Sequence, residues 1–236
     1  ASHQEIAGVS DQDFVLRMVR SHDNRFDEAF WQYVEEQVRP QLTENPRIVD
    51  LGCGPGLFVR DLGNRFSGAE LYGYDLTPAM VEYAKSEVEY AGSQPEFDVL
   101  DITTAPVPLE DNSVDLLTMT AVLHVLDEPL AMCAEIRRLL APGGVFLLQD
   151  WIRLPLSKYL DMMMENVPPE KAQVMEKAMM RLSVAHNKYT IEDWIWLLDK
   201  GGLKVLHKTQ IGSEHFCVFV CSLYIKYCKS MQYNAK

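Results

Sequence analysis

The chain has too little positive charge for a general nucleic-acid binder: 22 Lys and Arg stand against 34 Asp and Glu, a formal charge of −12. A surface of that sign repels phosphates and favours work on small molecules. Cysteine is scarce as well. The five cysteines are an odd number without the short paired spacings of a zinc site, so they read as reduced thiols rather than as a disulfide framework or a metal centre. Long apolar runs are missing, with no stretch of the roughly 18 residues needed to span a bilayer, and no signal-peptide pattern is evident. A soluble, cytoplasmic protein is expected, acting as a monomer or homodimer. No Gly/Ser, Pro-rich or charged linker divides the 236 residues, of which 47% are hydrophobic, so the chain reads as one domain with a substantial core.

What the chain does have is alternation. Short apolar runs at 47–52, 70–76, 95–102, 114–120, 144–150, 203–211 and 216–224 are interleaved with helical repeats at 57–66, 78–91, 128–140 and 191–200. Strands alternating with helices in this way form an α/β fold around a mostly parallel sheet. In the third helical repeat Leu126, Leu130, Cys133, Ile136 and Leu140 recur at helical spacing and are expected to face the sheet, with Ala141-Pro142-Gly143-Gly144 ending the helix. The fourth opens on Thr190 with Asp193 three residues later, a capping box, and stops at Gly201-Gly202. Cys217 and Cys221 share parity on the last strand and are expected to pack in the core.

Two further helical segments, about 10–42 and 155–185, fall outside the alternation and suit a cap over a site. The first begins on the capping pattern Ser10 to Asp13 and carries Phe14, Met18, Phe26, Phe30 and Tyr33. The second holds six of the eleven methionines between Asp161 and Met180, adaptable thioethers that suit either a pocket wall or packing, and breaks at Pro168-Pro169. The boundaries drawn are a helical cap at about 10–44, a binding core at 45–150, a substrate lid at 151–189, and a last helix with two strands at 190–228. The first four residues are given no role.

The densest signal is VDLGCGPG at 49–56, a strand that runs into three glycines and then a helix. Such a turn brings bare backbone to the C-terminal edge of a parallel sheet, where ligands of open α/β folds bind. Gly52, Gly54 and Gly56 have Leu57 where a dinucleotide fingerprint wants its last glycine, which disfavours a nicotinamide site. No Gly-Lys-Ser/Thr follows, which disfavours a nucleoside triphosphate. Asp75 ends the next strand, 25 residues after Asp50, where a carboxylate can accept hydrogen bonds from both ribose hydroxyls; Thr77-Pro78 is expected to cap the following helix in its place. Asp101 and Ile102 end the third run and suit an adenine amino group and ring. Thr120, Ala121 and His124 follow the fourth.

These motifs, VDLGCGPG, YGYDLTPAMVEYAK, FDVLDI, VDLLTMTAVLHVL and LLAPGGVFLLQD in that order, resemble those of class I S-adenosylmethionine-dependent methyltransferases over roughly 45–150. The resemblance implies a Rossmann-like seven-stranded, mostly parallel sheet with the last strand antiparallel, and S-adenosyl-L-methionine as cofactor. It implies that Gly52, Cys53 and Gly54, with Asp50 of the same motif, approach the amino-acid portion. Asp75 would hold the ribose, Leu76 and Met80 flank the adenine, Asp101 and Ile102 complete that pocket, and Thr120 and Ala121 lie near the methionine.

A sulfonium methyl is electrophilic, so transfer requires mainly an aligned, dehydrated acceptor. Aromatic faces suit the cation, and Tyr33, Trp151, Tyr159 and Tyr189 lie in segments within reach of it. An acceptor that must lose a proton wants a base, and His124 is the best placed by order along the chain, followed by Asp150. His186 and Asn187 belong to no motif and are weaker. The leading expectation is a methyltransferase acting on a small molecule, without nucleic-acid or membrane partners. The same electrophile also permits a cyclase or lyase, in which intramolecular attack on the methionyl γ-carbon releases methylthioadenosine and a cyclic amino acid such as azetidine-2-carboxylate. A noncatalytic binding subunit is a third possibility.

Overall fold

The computed structural model describes residues 10–92, 94–165 and 167–224; the first four residues and the end of the 190–228 segment lie outside the described residues. Seven strands form one sheet: β1 (Arg47–Leu51), β2 (Glu70–Asp75), β3 (Glu96–Val99), β4 (Val114–Thr120), β5 (Leu140–Trp151), β6 (Leu203–Thr209) and β7 (Phe216–Leu223). Their spatial order is β3-β2-β1-β4-β5-β7-β6. The first five run parallel, and β7 is antiparallel to both of its neighbours, as the resemblance implies. The chain starts in the middle of the sheet at β1, winds outward to β3, then returns to β4 on the other side of β1. That reversal leaves a crevice at the C-terminal ends of β1 and β4.

Strand residues alternate between two cores. Val49, Leu51, Leu117, Met119, Phe146, Leu148, Phe219 and Cys221 face one side. There they meet Cys133 and Ile136 of α5 (Pro129–Leu139) and Trp194 and Leu198 of α8 (Ile191–Lys200). Ile48, Leu116, Val145, Leu147, Val218 and Val220 face the other. Their partners include Phe30, Trp31 and Val34 of α2 (Glu28–Gln37), Phe58 and Leu62 of α3 (Leu57–Arg65), and Val81 and Ala84 of α4 (Pro78–Ser86). Because both faces are covered, the central strands read as unbroken apolar runs instead of alternating ones. Cys217 and Cys221 are buried and reduced, part of the first core.

The segment at 10–42 divides into α1 (Asp11–Arg25), α2 and a 3-10 turn at Arg39–Gln41. Ser10 and Asp13 form the expected capping box, and Asp27 caps α2. The methionine-rich segment divides at its proline pair into α6 (Leu156–Met164), a 3-10 turn (Pro169–Lys171) and α7 (Ala172–His186). Thr190 and Asp193 form the second capping box.

Three local readings need correction. Leu130 is 41% exposed, because α5 begins only at Pro129; Met132 is buried in its place, and Leu140 already belongs to β5. The stretch at 141–144 does not separate helix from strand. It forms an irregularity within β5, where the register against β4 jumps between Val114 opposite Leu140 and Leu116 opposite Val145. Finally, β3 stops at Val99, two residues short of Asp101.

Candidate active site

At the C-terminal edge of the sheet lies a cavity of about 330 Å³, lined from below by the loops after β1, β2 and β4 and from above by α1, α6 and α7. Of the residues singled out in the sequence, Gly52, Cys53, Gly54, Asp75, Met80, Thr120, Ala121 and His124 line it, together with Trp151 and His186.

The floor is a backbone cradle. After β1 the chain turns through left-handed Gly52, Gly54 and Gly56, and the amides of Gly52 and Cys53 both donate to the Tyr74 carbonyl, tying the loop to β2. The glycines are not equivalent. A Cβ on Gly54 would meet nothing within 4 Å, whereas one on Gly56 would collide with the Tyr90 hydroxyl and stand 2.7 Å from Ala84 Cβ. Gly54 leaves room for a ligand, and Gly56 lets α4 approach. Ala121, which follows β4, is also left-handed at φ 57°, a conformation costly for a residue with a β-carbon.

Asp75 fastens this cradle. One oxygen accepts the Gly54 N–H at 2.8 Å and the other the Thr77 N–H at 2.8 Å. The expected side-chain cap is not made: neither Thr77 nor another side chain bonds the first-turn amides of α4, Asp75 instead holding the N–H of the N-cap residue Thr77, while Pro78 does occupy the first turn. Burial raises the Asp75 carboxyl above its ordinary value, against the pull of those two amides. Each oxygen retains acceptor capacity, since a carboxylate offers about four lone-pair sites. Two adjacent ribose hydroxyls fit that capacity, and the open space at Gly54 fits close approach by an amino-acid chain. The cradle thus fits S-adenosylmethionine.

His124 and Asp150, two separate expectations from sequence, form one unit. Asp150 is fully buried and His124 is 2% exposed. Asp150 accepts the backbone N–H groups of Trp151 at 2.7 Å and His124 at 3.1 Å. Its Oδ1 stands 2.6 Å from His124 Nδ1, an ion-pair contact that lies off the line of a good hydrogen bond; Nε2 has no hydrogen-bond partner among the described residues. Around the imidazole stand Trp151 and His186, stacked on each other with centroids 4.2 Å apart, and the Tyr159 hydroxyl lies 3.0 Å from His186 Nδ1.

Other expectations fall elsewhere. Tyr33 does not line the cavity; it packs against the second core, where burial raises its phenol, and its hydroxyl has no partner among the described residues. Because β3 ends early, Asp101 folds back on the amide and hydroxyl of Thr103, which holds its carboxyl below the ordinary range. Ile102 packs on the first core and Leu76 is 47% exposed; neither lines the cavity. Asp50 lies beneath the cradle, 1% exposed, accepting the Thr118 hydroxyl at 2.6 Å. Burial raises its carboxyl to about 7, and the neighbouring Asp75 adds to the shift. Tyr189 packs on Trp194, and Asn187 binds both backbone groups of Leu154.

Sequence reasoning missed the polar part of the roof. Arg17, Ser21, His22 and Arg25 line the cavity from one face of α1, at helical spacing, beside Phe14 and Met18 of the segment expected to cap the site. His22 Nε2 meets Asp61 Oδ2 at 2.8 Å. His215 and Phe216 enter because β7 is antiparallel, so its first residue reaches the edge where the parallel strands end. Burial lowers the His215 imidazole to about 4, with Arg25 as a secondary cause. The signal available for these residues was the face of the helix at 10–25 and the reversal of the last strand.

Residues 49–148 match a family model described as a methyltransferase domain. A trans-aconitate 2-methyltransferase of Variovorax paradoxus is 35% identical over 126 residues, covering 50% of this chain and 46% of that protein. A tRNA N(3)-cytidine methyltransferase of Gallus gallus is 31% identical over 125 residues, covering 50% and 34%. The match therefore spans less than half the length of either relative. In fold, a SAM-dependent methyltransferase from Aquifex aeolicus superposes with a TM-score of 0.63 at 22% identity, over 90% of this chain and 98% of that one. No described helix is long and apolar enough to cross a membrane. With the family model matched across the glycine cradle, Asp75 and the end of β4, residues 49–148 of the chain form a methyltransferase domain of the S-adenosylmethionine-dependent kind.

Proposed function

We propose that the protein transfers the methyl group of S-adenosylmethionine to a small-molecule acceptor bound beneath α1, α6 and α7. The observation that carries this reading is the cavity's continuation beyond the cradle: past Gly54 and Asp75 it runs to His124, Met163, Leu182 and Phe216, a chamber with an imidazole in its wall. A mostly apolar chamber roofed by helices favours a compact acceptor over an extended polymer, and the net charge of −12 points the same way. The tRNA-modifying relative shares the cofactor domain, whose motifs do not choose the acceptor.

The cofactor supplies an electrophilic methyl group on a sulfonium. Asp75 accepts the ribose hydroxyls with the lone pairs left over from Gly54 and Thr77, while Gly52, Cys53 and Gly54 border the amino-acid end. The roofing helices limit the water around a bound nucleophile, which raises its reactivity. The carboxylate of Asp150, 2.6 Å from His124 Nδ1, favours the proton on that nitrogen and leaves Nε2 as the lone-pair side, so His124 is the base that takes a proton from the acceptor. Asp150 is its positioning residue.

A mass-spectrometric time course tests the reaction. Purified protein is incubated with S-adenosylmethionine alone and with a pool of small metabolites, beside an Asp75→Ala control. The expected result is a cofactor stable on its own and release of S-adenosylhomocysteine only with the pool. Methylthioadenosine and a four-carbon cyclic amino acid formed without any acceptor would replace methyl transfer by intramolecular cyclisation.

A further inference from the structure

The cavity of this acidic protein carries more positive than negative charge. Among its lining residues two guanidinium groups, Arg17 and Arg25, face a single carboxylate, Asp75, which is already engaged with two backbone amides. Arg17 sits at the exposed rim. Arg25 is deeper: its Nε and Nη2 are shut off from solvent and have no hydrogen-bond partner among the described residues. Leaving these two nitrogens without acceptors is costly, since their three N–H donors lose water and gain nothing.

The surroundings hold Arg25 without satisfying it. Its guanidinium carbon lies 5.1 Å from the centroid of the Phe26 ring and 5.6 Å from that of Phe216. Its backbone carbonyl accepts the Gln149 amide at 3.2 Å. Asp50 and Asp150 attract it at a distance but neither bonds it: Asp150 accepts the amides of His124 and Trp151, Asp50 Oδ1 accepts the Thr118 hydroxyl, and Asp50 Oδ2 has no hydrogen-bond partner among the described residues. Burial lowers the guanidinium to about 10, which still leaves it charged at neutral pH.

We infer that Arg25 seats a carboxylate of the acceptor, so the substrates are small organic acids whose apolar part lies against Phe14, Met18, Phe26 and Phe216. A planar carboxylate matches the fork of the guanidinium and is the ligand group that best offsets its burial. The inference rests on the proposed methyl transfer. A methionyl carboxylate offers the same chemistry, so the test separates the two sources.

Calorimetric titrations compare benzoate, hexanoate, cinnamate and succinate with their primary amides, on the wild-type protein with and without saturating S-adenosylhomocysteine. The same titrations are run on Arg25→Gln and Arg25→Lys, with melting temperatures as a folding check. At least one acid is expected to bind the wild type about tenfold or more tightly than its amide, a preference abolished in Arg25→Gln and largely kept in Arg25→Lys, with affinity for S-adenosylhomocysteine changed by less than about threefold. The inference is overturned if the wild type prefers no acid over its amide. It is equally overturned if Arg25→Gln keeps the preference: with weakened S-adenosylhomocysteine binding the guanidinium serves the methionyl carboxylate, and with only a lowered melting temperature it is an internal counter-ion. Absence of any S-adenosylhomocysteine binding to the wild type would sink the cofactor reading instead, while the titrations without it still decide on Arg25.

Discussion

The floor and the roof of the cavity are built on different principles. The floor is backbone: glycines after β1, a carboxylate at the end of β2 that clamps two amides, and a strained Ala121 after β4, all fastened to a sheet buried on both faces. The roof is side chains: one face of α1, Met163 of α6, Leu182 and His186 of α7, on helices outside the alternation. A backbone cradle recognises what every substrate cycle shares, the cofactor, whereas side chains on helices can be exchanged to suit an acceptor without disturbing the sheet. The comparison predicts that floor substitutions change stability and cofactor affinity, and roof substitutions change acceptor use.

The sharpest contrast lies within the floor. Gly56→Ala places a β-carbon 2.7 Å from that of Ala84 in a left-handed conformation at φ +79°, so strain and overpacking add. The expected cost is roughly 2–5 kcal/mol in urea unfolding. Gly54→Ala meets no neighbour and should cost only about 1–2 kcal/mol of stability. It should nonetheless weaken S-adenosylhomocysteine binding at least about tenfold, because its methyl group enters ligand space. Equal effects of the two variants on stability would break the distinction between a packing glycine and a ligand glycine.

Beneath the cradle, Asp50 predicts a pH dependence. Its carboxyl is raised by burial from 3.8 to about 7, so the folded state binds the proton more tightly than the unfolded chain does. The sign follows: there is no penalty below about pH 4, a growing loss of stability from about 4 to 7, and a plateau above, amounting to no more than ~4 kcal/mol. Asp50→Asn should remove that slope, so that its melting temperature gains on the wild type as pH rises through this window. A parallel pair of curves would refute the buried-acid account.

These floor features were largely legible in the sequence because they use residues with few alternative reasons to be there. Three glycines at a strand end and an acid at the end of the next strand are local patterns, and the parallel sheet turns local order into spatial adjacency. Where a strand length was misjudged, the inference failed with it: β3 stops at Val99, so Asp101 turns onto Thr103 instead of facing the cavity. The roof's helices were expected over the site, but its polar residues were hidden, for a different reason. Arg25 in the last turn of a helix reads as a charge favourable to the helix dipole, and nothing local announces that α1 lies against Phe216. Tyr33 shows the converse, an aromatic residue on a segment expected to cap the site that packs in the core behind it.

Asp75 joins the two functions of the floor, and its substitution tests whether the clamp and the ligand seat are one device. Asp75→Asn keeps one carbonyl oxygen but replaces an acceptor with a donor facing either the Gly54 or the Thr77 N–H. The expected loss is about 1.5–3 kcal/mol in S-adenosylhomocysteine binding by calorimetry, the magnitude of a lost charge-assisted hydrogen bond. Unchanged affinity would sever Asp75 from the ribose and leave it only a clamp.

The smallest effect belongs to the roof, and it is the one that separates acceptor from cofactor. Leu182 is half-buried on α7 and lines the cavity, so Leu182→Ala removes apolar contact from the chamber without touching the cradle. Truncating a side chain that is only partly shielded from water should cost about 1 kcal/mol of stability, less than a fully buried leucine would. Once an acceptor is in hand, the same change should raise its KM several-fold, on the order of the 1–3 kcal/mol that apolar contacts supply to specificity. The KM for S-adenosylmethionine should stay put. If both KM values rise together, α7 would be closing over the cofactor as well, and the division between a backbone floor and a side-chain roof would no longer correspond to a division between cofactor and acceptor.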